Sequence, residues 1–150
     1  MEKILISACF LGEKVRYDGK IKTLTNPLLN RWNSEQRLVV VCPEVCGGLP
    51  VPRPAAEINQ QSQQVVTEQG NNVSQYFILG AEQALVLCKK HAIKFALLKE
   101  SSPSCGSQWI YDGTFTQQKI TGQGVTAQLL IKNGIKVFSE DNIDQLAEIL

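Results

Sequence analysis

Residues 38–48 read Leu38-Val-Val-Val-Cys-Pro-Glu-Val-Cys-Gly-Gly48. A short apolar run of this kind, three of its four residues β-branched, suits a strand buried on both faces, and Pro43 closes it. Similar runs occur at Ile4-Leu-Ile-Ser-Ala8, Phe95-Ala-Leu-Leu98 and Ile135 to Phe138. Helical patterns lie between them. Pro27 to Gln36 has Asn26 as cap and Pro27 at the first helical position, and Val73 to His91 places Ala81, Ala84, Leu85 and Cys88 on one face. Gly124 to Lys132 and Asn142 to Leu150 supply two more, the last with Ile143, Leu146, Ala147 and Leu150 at helical spacing. Strand alternating with helix predicts an α/β domain with a mostly parallel central sheet flanked by helices. The proline- and glutamine-rich stretch from Pro50 to Gly70 breaks that rhythm and reads as a loop or hairpin insertion, with Gln64-Val-Val-Thr67 as a short strand. A second hairpin is expected over Trp109 to Thr121.

The chain of 150 residues is long enough to bury a substantial core as one domain over 1–150. Its 15 basic and 14 acidic residues give a formal charge of +1, which provides no general field for nucleic acid or an anionic membrane. No apolar run approaches the roughly 20 residues of a spanning helix, and the opening MEKILISACF lacks a long apolar region followed by a cleavage site. These features point to a soluble, cytoplasmic protein. In a reducing compartment, the five cysteines are expected to be ligands, nucleophiles or buried apolar residues rather than a disulfide framework.

Cys9 follows the first predicted strand, Cys42 the second, and Cys105 lies in Lys99-Glu-Ser-Ser-Pro-Ser-Cys-Gly106 after the third. The carboxyl ends of parallel strands form the crevice where ligands bind, so these three thiols should converge, bringing Glu44 and Ser102 with them. Each feature also has a plainer reading. A cysteine is often a small buried hydrophobe, Glu44 could cap backbone amides, and Ser102 before Pro103 could start a turn. Cys88, on the apolar face of a helix, is assigned to the core; Cys46 is undecided. Arg53 is read as pairing with Glu57 or binding an anionic substrate group, Lys99 as facing the crevice or, more often for a lysine at a strand end, solvated, and Asp18 and Asp112, each before a glycine, as turn residues. Three chemistries stay open on the residues alone. Zinc would need a fourth ligand, which only Cys46 could supply, and would make a binding module; a free thiol at Cys42 or Cys105 would make a transferase or redox enzyme; an iron-sulfur cluster on three thiols would keep one iron open as a Lewis acid.

The order of several motifs is more specific. Ser7-Ala-Cys-Phe-Leu-Gly12, Arg16-Tyr-Asp-Gly19, Cys42-Pro-Glu-Val-Cys-Gly-Gly-Leu-Pro-Val-Pro-Arg53, Leu98-Lys-Glu-Ser-Ser-Pro-Ser-Cys-Gly106 and Tyr111-Asp-Gly-Thr-Phe115 together resemble the thiouracil desulfurase family over nearly the whole chain. The resemblance implies a compact α/β domain with a 4Fe-4S cluster whose ligands are Cys9, Cys42 and Cys105. It further implies that the open iron takes the sulfur of a thiolated pyrimidine, while Glu44 and Ser102 activate and position a water for non-redox removal of that sulfur. The expected partner is a small molecule; no dedicated nucleic-acid-binding element is evident.

Overall fold

In the computed structural model, residues 1–11 and 24–150 are described. The Arg16-Tyr-Asp-Gly19 motif and the expected turn at Asp18 lie outside them. Strand β1 (Ile4–Ser7) is buried along its whole length and runs parallel to both neighbours, pairing Ile4 with Leu38 of β2 (Leu38–Val41) and with Phe95 of β5 (Phe95–Leu97). On the far side of β5 lies β8 (Lys136–Phe138), giving the parallel order β2-β1-β5-β8.

Side-chain alternation along β1 sorts the helices into two layers. Ile4 and Ile6 face Leu29 and Trp32 of α1 (Pro27–Ser34) and Ile143 and Leu146 of α5 (Ile143–Ile149). Leu5 faces Ala84 and Cys88 of α3 (Ser74–Lys90) and Leu130 of α4 (Val125–Lys132). The expected sheet flanked by helices is therefore the fold. Asn26 caps α1 as its sequence suggests, its Oδ1 accepting from Leu28 N at 2.9 Å.

Burial on both faces holds for β1 but not for every strand. Val40 of β2 is 40% exposed, and Lys136 of β8 is exposed, because these strands are the sheet's edges. An apolar run does not reveal its rank across a sheet.

Both insertions are antiparallel hairpins. One joins β3 (Ala56–Ile58) to β4 (Val65–Thr67), and the other joins β6 (Trp109–Tyr111) to β7 (Lys119–Thr121). Ile58, Val65 and Ile110 gather on Phe77 of α3 as a third apolar cluster, so the hairpins are packed beside the carboxyl edge of the sheet.

Two short helical pieces carry the chain out of the first two strands: a 3-10 helix over Ala8–Leu11 and the single turn α2 (Pro43–Cys46). The second is pressed against α3. A Cβ on Gly80 would lie 1.8 Å from Pro43 O, and one on Gly47 would lie 1.9 Å from Tyr76 O, so backbone meets backbone at this crossing. Gly80→Ala is expected to lower the free energy of unfolding by about 1–3 kcal/mol, as forced overpacking does, read as a fall in urea midpoint at unchanged slope.

Candidate active site

The parallel sheet switches direction at β1: the chain goes from β1 to β2 on one side, then returns to β5 on the other. Such a switch point opens a crevice at the carboxyl ends of the strands. Here it is a cavity of about 390 Å³, within the range of small-molecule sites. Its floor brings together Cys9 after β1, Cys42 and Glu44 after β2, and Lys99, Ser102 and Cys105 after β5. Ala56, Thr67, Tyr111 and Lys119 from the two hairpins, with Phe77 of α3, wall it.

The loop carrying Cys105 is organised around a carboxylate that sequence reasoning did not single out. Glu100 is 5% exposed, and its Oε1 accepts from the amides of Ser107 (2.9 Å), Gln108 (3.0 Å), Trp109 (3.0 Å) and Ser101 (3.3 Å). Its Oε2 accepts from Ser107 Oγ at 2.9 Å. Burial alone would raise the pKa of this carboxyl; the converging donors outweigh it and hold the group below its ordinary value. The chain bends tightly around this anchor. Ser101 adopts φ of 69°, and a Cβ on Gly106 would stand 2.4 Å from Trp109 O. Lys99 N donates to Ser7 Oγ at 3.0 Å, fastening the start of the loop to the end of β1, and Ser104 Oγ shares a 2.9 Å hydrogen bond with Thr126 Oγ1 of α4.

Ser102 does start a turn. Its Oγ accepts from Ser104 N at 3.0 Å and from Cys105 N at 3.2 Å. With both lone pairs so occupied, the hydroxyl keeps its proton for donation, and it lines the cavity.

Arg53 pairs with Glu44, not with Glu57. Glu57 accepts instead from Gly113 N (2.9 Å) and Phe115 N (3.2 Å), clipping the second hairpin's turn to β3. Of the two readings of Lys99, the less favoured one holds: it lines the crevice, where Glu140 holds its Nζ. Glu140 sits just past β8, so its approach to β5 follows from the neighbouring positions of those strands. Asp112 is a turn residue, accepting from Thr114 N at 2.9 Å.

The crevice thiols share an electrostatic environment. Burial, then the neighbouring Cys42, pushes the Cys9 thiol up to about 11, with Lys99 pulling the other way. Burial also raises Cys42. Cys105 is raised further still by burial, then by Glu44, Cys42 and Cys9. Each of these shifts disfavours a bare thiolate. Cys88 is 1% exposed in the core, as its helix face indicated, whereas Cys46 is exposed and does not line the cavity. Among the described residues, no group of three or more His, Cys, Asp and Glu side chains is placed to hold a single metal ion, so the four-thiol zinc arrangement is not formed. Nor is any helix among them long and apolar enough to cross a membrane.

The sequence matches the profile of the 2-thiouracil desulfurase family over residues 4–142. It is 37% identical over 151 residues to the uncharacterized protein YbbK of Bacillus subtilis (strain 168), covering 95% of this chain and 99% of the relative. Among solved structures, the fold matches a 4Fe-4S-dependent thiouracil desulfidase, TudS, with a TM-score of 0.95 and 51% sequence identity. That match covers 99% of this chain and 97% of the other.

Glu100→Ala strands several buried amides, for which a loss of about 1–3 kcal/mol of stability is expected, with faster proteolysis of the 100–109 loop as the local reading. Glu100→Gln separates charge from shape. Because the folded carboxyl titrates below its ordinary value, its ionised form stabilises the protein above that value, and the gain is lost as pH falls through the folded one. Urea titrations in the acid range should therefore show a shallower decline for Glu100→Gln than for the parent.

Proposed function

The chain belongs to the 2-thiouracil desulfurase family, and from that premise we propose that it removes sulfur from a thiolated pyrimidine such as thiouracil without net redox change. Water supplies the oxygen that replaces sulfur at the ring carbon. The observation carrying this reading is the convergence of three strand-end thiols, a carboxylate and a hydroxyl donor on one crevice of small-molecule size.

The donor set fits a 4Fe-4S cluster on Cys9, Cys42 and Cys105. Three thiols, Cys105 buried and Cys9 and Cys42 half-buried, each made less acidic by desolvation and in two cases by a neighbouring crevice thiol, are poor free nucleophiles; a bound cationic centre would make them thiolates. They belong to three separate loops, and a multi-iron cluster spans a wider site than the single ion for which no group is formed. Held by these three cysteines alone, a 4Fe-4S cluster would supply one open iron as a soft Lewis acid toward a thiocarbonyl sulfur. The close likeness to a desulfidase described as 4Fe-4S-dependent supports the same assignment.

The remaining chemistry belongs to this chain's own side chains. Glu44 takes a proton from water as the water oxygen forms its bond to the ring carbon. The adduct then collapses: its remaining O–H proton passes to the departing sulfur as the carbon–sulfur bond breaks, so sulfur leaves as hydrosulfide with the bond's electron pair and the C=O of the oxo-pyrimidine forms. Ser102 can only donate, since its oxygen already accepts two amides, so it steadies a ring or water lone pair rather than competing as a base.

Anaerobic purification with quantified iron and acid-labile sulfide, followed by assay of thiouracil conversion to uracil, tests the whole reading. About four iron and four sulfide per chain with turnover is the expected result, and Cys→Ser at position 9, 42 or 105 should lower iron content. Glu44→Gln should keep its iron and lose about 10²–10⁴ in rate. Zinc or no metal after anaerobic reconstitution, without sulfide release, would overturn the assignment.

A further inference from the structure

Glu44 occupies the first turn of a helix only four residues long, which cannot by itself fix a side chain with three rotatable bonds. The fixing comes from outside the helix. Arg53 lies past Pro50 on the strand-free segment that follows α2, flanked by Pro52 and Pro54. Its side chain is 4% exposed, its Nη1 donates to Pro50 O at 3.1 Å, and its Nη2 engages Glu44 Oε2. Arg53 and Glu44 both line the cavity.

We propose that Arg53 is the positioning residue of the reaction, holding Glu44 Oε2 so that Oε1 is aimed at the attacking water. The inference rests on Glu44 acting as the base. A guanidinium suits this task because it is a planar fork: one nitrogen is anchored on the backbone while another grips the carboxylate, an arrangement a lysine ammonium does not reproduce. Stability alone does not explain the pair. A buried ion pair returns little net stability once desolvation is counted, yet this one is kept at the wall of a ligand-sized cavity.

Because Arg53 works through Glu44, its effect must vanish when Glu44 is gone, and a double-mutant cycle on the iron-loaded protein reads that dependence. Arg53→Met is expected to lower kcat about 10–10²-fold at unchanged KM for thiouracil, the scale of a misdirected catalytic group. In a Glu44→Gln background the same change should move kcat less than twofold. Arg53→Lys should retain iron but recover only part of the rate, and added guanidinium ion should raise the rate of Arg53→Met but not of the double variant.

Iron content and thermal melting accompany each variant, and if Arg53→Met fails to load, the cycle is run with Arg53→Lys under the same criterion. Additive losses in the cycle would overturn the proposal while leaving Glu44 as base. A raised KM with unchanged kcat in both backgrounds would overturn it too, making Arg53 a cation for substrate. Full activity in Glu44→Gln alone would instead show that the base assignment itself had failed.

Discussion

Everything at the crevice depends on one strand being paired in parallel on both sides. β1 is buried on both faces and bonded to β2 and β5, so the chain must leave all three strands at the same edge. Cys9, Cys42 and Cys105 are separated by tens of residues in sequence, yet each follows one of those three exits. An antiparallel neighbour would have sent one thiol to the opposite end of the sheet. The isoleucines of β1 seat α1 and α5 while Leu5 seats α3 and α4, so the strand that sets the convergence also organises both helical layers.

This explains which parts of the molecule could be read from the chain. Hydrophobic periodicity located the four parallel strands and the four longer helices, because those are local consequences of burial; the hairpin over 109–121 was expected too, whereas residues 50–70 were legible only as a loop or hairpin with one short strand. Their consecutive order then placed three thiols, Glu44 and Ser102 at one edge. The single-turn α2 was missed because four residues carry no period, and its existence depends on Gly47 and Gly80 allowing two backbones to touch. The exposure of Val40 was missed because edge position is a property of the assembled sheet.

The charged residues were legible only in part, for a different reason. A side chain's identity says what it can bond, but its partner is chosen by tertiary placement. Arg53 has acidic residues at 44 and 57 within reach along the chain; the fold hands Glu57 to the amides of Gly113 and Phe115, which leaves Glu44 for the guanidinium. Lys99 could have faced solvent or the crevice; β8 lies beside β5 and delivers Glu140, which holds it at the crevice. Glu100 was not singled out. The signal was present in its setting: an acidic residue opening a loop rich in serine and glycine, where amides without a ladder need an acceptor.

The loops thus divide rigidity from chemistry. Glu100 spends both carboxylate oxygens on its own loop, so it can hold Cys105 and Ser102 in place without contributing a reactive group. Ser102 gives its lone pairs to the turn and retains its proton, which makes it a donor of fixed direction. Glu44 has Oε2 held by Arg53, and among the described residues no hydrogen bond reaches its Oε1. The same backbone bonds that shape the loops therefore make Glu100 an anchor and Ser102 a donor before any substrate enters, and the proposed base, Glu44, is the crevice carboxylate left outside them.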